Sequence, residues 1–275
     1  MIERALPVTV SNKAPDAASG GADGGGARID VLGCPVDALD MEQTVERCLD
    51  LVEQNARAQH IVLNAAKLAE SHRNPRMRAI IESCRLVSAD GQAIVWASRA
   101  LGTPLPERVA GVDLMHELMA AAAERGLSVY VLGAREEVLE AALGNLKQRY
   151  PGLRVAGSRN GYFGDGEVDE VVAGIRAAAP DMLFVAMSSP RKEYFLSENM
   201  DALGVPFAMG VGGAIDVAAG LTRRAPRWMQ RAGLEWFFRF AQEPRRMWRR
   251  YLDQNLFILR ALIRELWARR SSRRS

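Results

Sequence analysis

The chain has 275 residues, enough for one large or two modest domains, and its content of 48% apolar and 25% charged side chains is ordinary for a soluble globular protein. Its three cysteines show no metal-ligand spacing and suit a reducing cytoplasm better than a disulfide framework. Three scattered histidines argue against a histidine-rich metal site. We therefore expect no histidine-rich metal site, and nothing in the composition calls for a cofactor.

The net charge of +3 is distributed unevenly along the chain. Residues 222–275 contain fifteen arginines, no lysine and four acids, a net charge of +11, so the first 221 residues carry −8. A basic segment attached to an acidic body indicates a polyanionic partner, which is a lipid surface, a diphosphate or a nucleic acid. No secretory signal is expected, and the apolar run "LFILRALI" is far too short to span a bilayer.

In chain order, residues 1–27 come first and are rich in Gly, Ala and Asp, so we expect a disordered leader. From Arg28 onward, apolar runs typical of strands alternate with amphipathic helical stretches. This alternation predicts an α/β fold over residues 28–221, a Rossmann-like parallel sheet with helices on both faces. The predicted strands are "RIDVLG", "HIVLNA", "RLVSA", "SVYVLGA", "LRVAGS", "DMLFVAMS" and "PFAMGVG".

Several predicted strands end in polar residues or glycines. In open parallel sheets, ligands bind beyond the carboxyl ends of the strands, so these residues are expected to share one rim. They are Asn64, Asp90, Gly133, Arg191, Gly210, Gly212, Gly213 and Asp216.

Each candidate on this rim also has a plainer interpretation. Asp90 is either a turn acid or helix cap, or a general base that takes a proton from a hydroxyl nucleophile. Asn64 is either a cap or a ligand to sugar hydroxyls. Arg108 is either a surface residue or a bidentate partner of a phosphate. The glycines of "MGVGGAID" allow backbone amides to approach a phosphate, but tight packing between strand and helix explains them equally well.

From Thr222 onward no strand is predicted. Pro226 and Pro244 divide this segment into a short helix and a long one. Residues 245–267 place apolar side chains on one side and arginines largely on the other, which is typical of a basic amphipathic helix. Bulky Trp and Phe side chains favour an anionic lipid surface over nucleic acid. We therefore expect residues 222–275 to form a helical, membrane-binding appendage with no nucleic-acid partner.

Taken in order, the motifs resemble those of one family. They include "VLNAAKLAES", "SADGQAIVWASRALGTPLPERVAGVDLM", "PDMLFVAMSSPRKEYF" and "GVGGAIDVAAGLTRRAPRWMQRAGLEWFF". Together they look like the WecG/TagA/CpsF glycosyltransferases, and the similarity runs from about Arg28 to Tyr251. The most specific part is Gly-Val-Gly-Gly followed by Arg-Ala-Pro-x-Trp and Leu-Glu-Trp.

The resemblance implies an inverting, metal-independent enzyme that moves a sugar from a UDP-sugar to a polyprenyl-diphosphate-linked saccharide. Its place would be the cytoplasmic face of the inner membrane, as a peripheral protein, with a second copy of the chain as a further partner. Consistently, the chain contains no Asp-x-Asp. By this resemblance, Asp90 is the catalytic base and Asn64 and Arg108 bind substrate. Basic residues of the appendage would cover the active site and meet the membrane, namely Arg239, Arg246 and Arg249.

The chain departs from the family pattern in two motifs. Val62 replaces the usual Thr two residues before the asparagine, and Pro-Arg-Lys-Glu replaces the usual Pro-Lys-Gln-Glu. Lys192 thus puts a cation where the family has a neutral amide. We take Arg191, Lys192 and Glu193 as substrate-binding residues, and the cation suits an acidic donor or an extra phosphate contact better than the usual N-acetylmannosamine donor.

Two other classes of function remain open from the sequence. A Rossmann-type oxidoreductase or regulatory protein would bind NAD rather than UDP, and it would leave the basic appendage unexplained. A nucleic-acid-binding protein would use the appendage and show a steep dependence of affinity on salt.

Overall fold

The computed structural model describes residues 27–231, 234–242 and 244–272. The predicted leader, residues 1–27, lies outside the described residues except for Ala27. In the appendage, the side chains of Arg239, Arg246 and Arg249 also lie outside the described part, although the helices that carry them are included.

The centre of the fold is a six-stranded parallel sheet in the order β4-β3-β8-β7-β5-β6. This order confirms the predicted α/β sheet, and six of the seven predicted strands belong to it. The first of these strands in the chain lies next to one edge of the sheet, and the second forms that edge. The chain then crosses to build the other edge and fills the centre with its last two strands. The strands are β3 Ala58–Leu63, β4 Leu86–Ala89, β5 Ser128–Gly133, β6 Arg154–Arg159, β7 Met182–Ala186 and β8 Phe207–Gly210.

The remaining predicted strand, "RIDVLG", is not part of the parallel sheet, so its predicted place there was wrong. It forms one arm of a separate antiparallel hairpin. β1 (Arg28–Val31) pairs with β2 (Cys34–Asp37), which the sequence analysis missed. Leu32 and Gly33 join them with φ of 54° and 82°, the positive values that a tight two-residue hairpin turn needs. The Asp37 carboxylate accepts a hydrogen bond from the Val87 amide at 2.7 Å, which anchors the hairpin beside β4.

Helices cover both faces of the sheet, as predicted. On one face, α1 (Met41–Glu53), α5 (Gly111–Arg125), α6 (Glu136–Arg149) and α9 (Ala214–Ala218) enclose one hydrophobic cluster. Two clusters fill the opposite face. Their helices are α2 Ala65–Ser71, α3 Pro75–Ser83, α4 Gln92–Ala100, α7 Val168–Ala178 and α8 Arg191–Leu203.

Side chains alternate between the two faces along each strand, as a pleated strand requires. In β5, Val129 and Val131 join the first cluster, whereas Leu132 joins a cluster on the opposite face. Because both faces are buried, the strands are apolar throughout rather than alternately apolar and polar. This burial is why they could be recognised as short continuous apolar runs.

The appendage is helical, as predicted, but Pro226 and Pro244 enclose two short helices instead of one. These are α10 (Arg227–Arg231) and α11 (Glu235–Gln242), and α12 (Pro244–Ser272) follows. The proline at the first position of α12 costs no hydrogen bond, because the first amides of a helix have no partner within it. α12 has 29 residues and is about 43 Å long at the standard rise. Within the described part of the chain, none of the helices combines the length and apolar character that crossing a bilayer requires.

α12 is docked on the core by its second half. Ile258 is 7% exposed and belongs to the cluster formed by α2, α3 and α4. The Phe257 ring meets the His72 ring edge-on at 5.2 Å. Near the end of the helix, Arg269 donates a hydrogen bond to the Leu101 carbonyl at 2.7 Å. The second half of α12 therefore shares a hydrophobic cluster with the α/β core.

Gly133, at the end of β5, offers a test of this packing. A Cβ at this position would lie 2.5 Å from the Ala186 carbonyl carbon, and φ is +126°, which side chains rarely adopt. We expect Gly133→Ala to lower the free energy of unfolding by about 2–4 kcal/mol in urea titrations. The control is Gly144→Ala in the middle of α6, where a Cβ meets nothing within 4 Å. It should instead stabilise by up to about 1 kcal/mol, and equal effects of the two changes would contradict this reading.

Candidate active site

Asp90 lies directly after β4, on the rim formed by the carboxyl ends of the strands. Its amide donates to the Leu63 carbonyl at 2.8 Å, which ties it to the end of β3. Its carboxylate accepts from the Gly111 amide at 3.4 Å, at the first residue of α5. Asp90 does not cap α4, because the N-cap is Gly91. With 32% of its side chain exposed, the carboxylate is accessible to a ligand, and it lies beside the N-terminus of a helix.

Arg108 faces Asp90 across the rim. One guanidinium nitrogen of Arg108 lies 3.8 Å from Asp90 Oδ1 and 3.1 Å from Glu235 Oε2, at the start of α11. Glu235 also lies 3.5 Å from Arg224, which forms a second ion pair with Asp113 in α5. The Arg108 and Arg224 side chains are each 17% exposed, so these charges are only partly screened by water. The network links the rim of the sheet to the appendage.

Asn64 is a helix cap, which is one of the two roles predicted for it. It is the N-cap of α2, and its side-chain oxygen accepts from the Lys67 amide at 3.0 Å. The same residue also lines the cavity described next, so the cap holds Asn64 at the site.

A cavity of about 580 Å³ brings Asn64, Asp90 and Arg108 together. Such a volume lies within the range of small-molecule sites. The polar end of the cavity contains Asp90, Arg108 and Glu235, and the rest is mostly apolar. Further lining residues come from α4, α11 and α12 and include Trp96, Ala97, Trp236, Ile258, Leu259 and Leu262.

The predicted glycines lie on the other half of the same rim, after β5 and β8, and do not line this cavity. A Cβ on Gly210 would lie 2.9 Å from the Lys192 side chain, so packing alone requires glycine there. Gly212 has a φ of +49° and its amide bonds to the Val185 carbonyl at 3.3 Å. Gly213 caps α9, and Asp216 lies in the first turn of that helix.

Arg191 has structural partners. It donates to the carbonyls of Gly161 at 3.2 Å and Phe163 at 2.6 Å, and its guanidinium lies 4.7 Å from the centre of the Phe163 ring. The side chain thus fastens the loop after β6 to the start of α8.

Lys192 and Glu193 belong to a buried ion cluster with Lys67. Each lysine ammonium lies 3.1 Å from Glu193 Oε1, and Lys67 also donates to the Val62 carbonyl at 2.8 Å. Burial lowers the pKa of Lys192, and the neighbouring Lys67 ammonium lowers it further. Burial alone would raise the pKa of Glu193, but the two lysines outweigh it and the net shift is downward. Lys192, which was predicted to bind an acidic donor, is therefore already paired with Glu193.

The Glycosyl transferase WecG/TagA/CpsF family model matches residues 29–272. The chain belongs to this family. Two relatives with the name N-acetylglucosaminyldiphosphoundecaprenol N-acetyl-beta-D-mannosaminyltransferase are similar to it. The protein from Bacillus spizizenii is 34% identical over 78% of this chain and 82% of its own length. The protein from Bacillus subtilis is 33% identical over 68% of this chain and 72% of its own length.

Membership in the WecG/TagA/CpsF family confirms the resemblance read from the motifs and makes this chain a glycosyltransferase rather than an oxidoreductase. The family match includes the appendage, since it extends through α12. The roles of individual residues are not decided by the match. The side chains of Arg239, Arg246 and Arg249, predicted to cover the site, lie outside those that the structure describes.

The sequence analysis of this glycosyltransferase did not single out several residues of the site. Glu235 entered the sequence motifs only as part of Leu-Glu-Trp. It is an acid at the start of a helix in a strongly basic segment, and that position is the signal that favours an ion pair with the core. Trp96 and Ala97 lie on an ordinary amphipathic helix and gave no distinct signal. Lys67 is 7% exposed, and nothing in the sequence of α2 indicates that this lysine is buried.

Lys192→Gln tests whether the paired cation selects the donor sugar. Because Lys192 already pairs with Glu193, we expect the change to alter turnover with acidic and neutral UDP-sugars by the same factor, within about threefold. The measurement is kcat/KM for UDP-glucuronate and for UDP-N-acetylmannosamine. A loss confined to the acidic donor would show that Lys192 reads the donor carboxylate after all.

Proposed function

We propose that the chain transfers one sugar, with inversion and without a metal ion, from a UDP-sugar to a saccharide linked to a polyprenyl diphosphate. The observation that supports this most directly is the pair formed by Asp90 and Arg108, 3.8 Å apart at the polar end of a mostly apolar cavity. A carboxylate beside a guanidinium suits an acceptor that presents both a hydroxyl group and a diphosphate. An apolar extension suits a lipid.

The relatives' names support the acceptor class and the stereochemistry. They describe transfer of a β-linked N-acetylmannosaminyl group to N-acetylglucosaminyl-diphospho-undecaprenol. Sugar nucleotides of this kind carry the sugar in the α configuration, so a β-linked product requires inversion. We extend the acceptor class and the inversion to this chain and leave the identity of the donor sugar to the assay below.

In the proposed reaction, the acceptor hydroxyl attacks the anomeric carbon of the donor. The new carbon–oxygen bond forms as the bond to UDP breaks, and the Asp90 carboxylate takes the proton of the hydroxyl. Negative charge then grows on the departing diphosphate. Nearby guanidinium groups and backbone amides offset this charge, an effect that is strongest where water is excluded. Arg108 holds the acceptor diphosphate near Asp90 and so orients the hydroxyl.

The donor nucleotide belongs, in this proposal, on the second half of the rim. Gly133 is the last residue of β5, and Gly212 and Gly213 follow β8, which lies beside β3 in the sheet. In parallel sheets, loops at the carboxyl ends commonly bind nucleotides through their glycine-rich backbone. A donor held after β8 would direct its sugar toward Asp90, which follows β4, two strands further along the rim.

The appendage supplies the proposed contact with the membrane. Leu256, Leu259, Ile263 and Trp267 recur along α12 and are between 44% and 74% exposed. We call them the apolar stripe. Exposed arginines of the same helix flank the stripe at Arg260 and Arg264. Such a helix lies in the membrane interface, with its apolar side chains among the acyl chains and its arginines at anionic headgroups. We therefore propose that the enzyme is a peripheral protein of the cytoplasmic face of the inner membrane.

A donor screen tests the proposal. The purified protein is incubated with a lipid-linked N-acetylglucosamine diphosphate and, one at a time, with UDP-N-acetylmannosamine, UDP-N-acetylglucosamine, UDP-glucose and UDP-glucuronate, in the presence of EDTA. Mass spectrometry should show the acceptor gaining one sugar residue with one donor far better than with the others. No gain with any UDP-sugar, or a gain that EDTA abolishes, would contradict the proposed reaction.

A further inference from the structure

The cavity at Asp90 changes character along its length. At one end lie the charged groups of Asp90, Arg108 and Glu235. Away from these groups, most of the lining side chains come from α4 and α12, and most of those are apolar. A sugar and a diphosphate would fill the charged end only. The apolar part needs an occupant of different chemistry.

Two helices form the walls of the apolar part. On α4, Ala93, Trp96, Ala97 and Ala100 follow one another at helical spacing and line the cavity. On α12, Asn255, Ile258, Leu259 and Leu262 do the same. Residues three and four apart share one face of a helix, so each helix presents a single continuous face to the space between them. We call this space the α4–α12 groove.

Alanines give the groove its width. Three of the five lining positions on α4 are alanines, and Ala65 and Ala66 of α2 continue the lining. Larger side chains at these positions would fill the space between the helices. Ala100 is exposed and Ala93 is half-buried, so the small side chains there are not needed for packing in the core.

The groove opens onto the apolar stripe. Leu259 belongs to both, since it lines the cavity and is 53% exposed. Across the groove, Trp96 lines the cavity and is 57% exposed. An exposed tryptophan beside exposed leucines is typical of a protein surface that meets the membrane interface. The cavity thus connects the surface proposed to face the membrane with the charged groups at Asp90 through a mostly apolar lining.

We propose that the α4–α12 groove is the binding site for the first isoprene units of the acceptor lipid, with the diphosphate at Arg108 and the rest of the chain leaving between Trp96 and Leu259 into the membrane. This assignment rests on the proposed function, because it takes the acceptor to be a polyprenyl diphosphate. An amphiphile is the ligand that such a cavity fits, because apolar walls favour the chain and Arg108 favours the anionic group.

The groove makes the lipid a determinant of specificity. Burying apolar area of the chain contributes binding energy that an acceptor with a short chain cannot provide. The wild-type enzyme should therefore bind a long-chain prenyl acceptor more tightly than a short-chain one with the same sugar and diphosphate. Blocking the groove should remove this preference without touching the chemistry at Asp90.

Ala100→Trp is designed to block the groove, and Ala173→Trp is its matched control, since Ala173 is exposed on α7 and lies outside the cavity lining. Initial rates are measured with a C55 prenyl acceptor in detergent micelles and with a short alkyl acceptor. We expect Ala100→Trp to raise KM for the C55 acceptor by about tenfold or more and KM for the short acceptor by less than about twofold. Ala173→Trp should match the wild type with both.

If Ala100→Trp leaves the ratio of the two KM values as in the wild type, the groove does not bind the lipid and the proposal is overturned. A second measurement does not depend on sugar transfer. A prenyl diphosphate carrying a benzophenone in its first isoprene unit is irradiated with the full-length protein, and the labelled peptides are mapped. Labelling within residues 92–100 and 254–262 supports the groove, even if no donor reacts and the proposed function fails. Labelling elsewhere, with transfer intact, would overturn the groove alone.

Discussion

Replacing Asp90 with asparagine is expected to lower the turnover of sugar transfer by about 100-fold or more, since a positioned general base contributes a factor of this order and an amide cannot take the proton. The fold should not change. The asparagine side-chain oxygen can still accept from the Gly111 amide, and the Asp90 amide keeps its bond to the Leu63 carbonyl. The measurement is kcat with saturating donor and acceptor, together with the UDP affinity from calorimetry.

Asp201→Asn is the matched control, because Asp201 is an exposed aspartate of α8, remote from the cavity lining. It should retain full turnover. If Asp90→Asn also retained turnover within about threefold, Asp90 would not be the base. If it lost activity together with a lower melting temperature and loss of UDP binding, Asp90 would have a structural role instead.

Replacing Ile258 with aspartate is expected to detach α12 from the core. Ile258 is 7% exposed in a cluster shared with α2, α3 and α4, and an unpaired carboxylate is costly in such a place. Undocking the helix avoids that cost, but it removes one wall of the cavity and disturbs Glu235 on the adjoining α11. We expect sugar transfer to fall by about 100-fold, because small displacements of substrate-positioning groups have effects of that size. UDP affinity should stay within about twofold of the wild type, because the donor loops are untouched.

Arg260→Asp is the control for this change, as Arg260 is an exposed residue two positions further along the same helix. With a short-chain acceptor that needs no membrane, it should behave as the wild type. A chain that ends at Thr222 should reproduce the loss seen in Ile258→Asp while still binding UDP. Full transfer by either protein would show that the appendage is not part of the active site.

The fold was predictable because burial on both faces makes the central strands continuous apolar runs. β5 and β7 are examples, since eight of their eleven residues have fully apolar side chains and ten are buried. The β1–β2 hairpin was not predictable in the same way. Its second strand, Cys34–Asp37, is four residues long and contains a proline, so it resembles a turn. Tertiary contacts stabilise it as a strand. These are the pairing with β1 across the turn and the hydrogen bond from the Val87 amide to Asp37.

The half of the candidate site around Asp90 followed from one rule, that strand ends of a parallel sheet meet on one rim. That rule brought Asn64 and Asp90 together. The partners of the charged residues could not be read in the same way, because they depend on how distant helices pack. Glu235 reaches Arg108 from 127 positions further along the chain, and Lys192 meets Lys67 only through Glu193. Similarly, the groove exists only because α12 lies beside α4.

The central claim is inverting transfer from a UDP-sugar to a polyprenyl-diphosphate-linked saccharide, and the configuration of the product tests it most directly. The reaction is run in EDTA with a donor labelled with ¹³C at its anomeric carbon, and the carbon–hydrogen coupling constant of the product is measured by NMR. We predict a single new β-glycosidic linkage on the lipid-linked acceptor, at a rate that Asp90→Asn lowers by about 100-fold. An α-linked product, or free sugar from hydrolysis of the donor with no lipid-linked product, would contradict it.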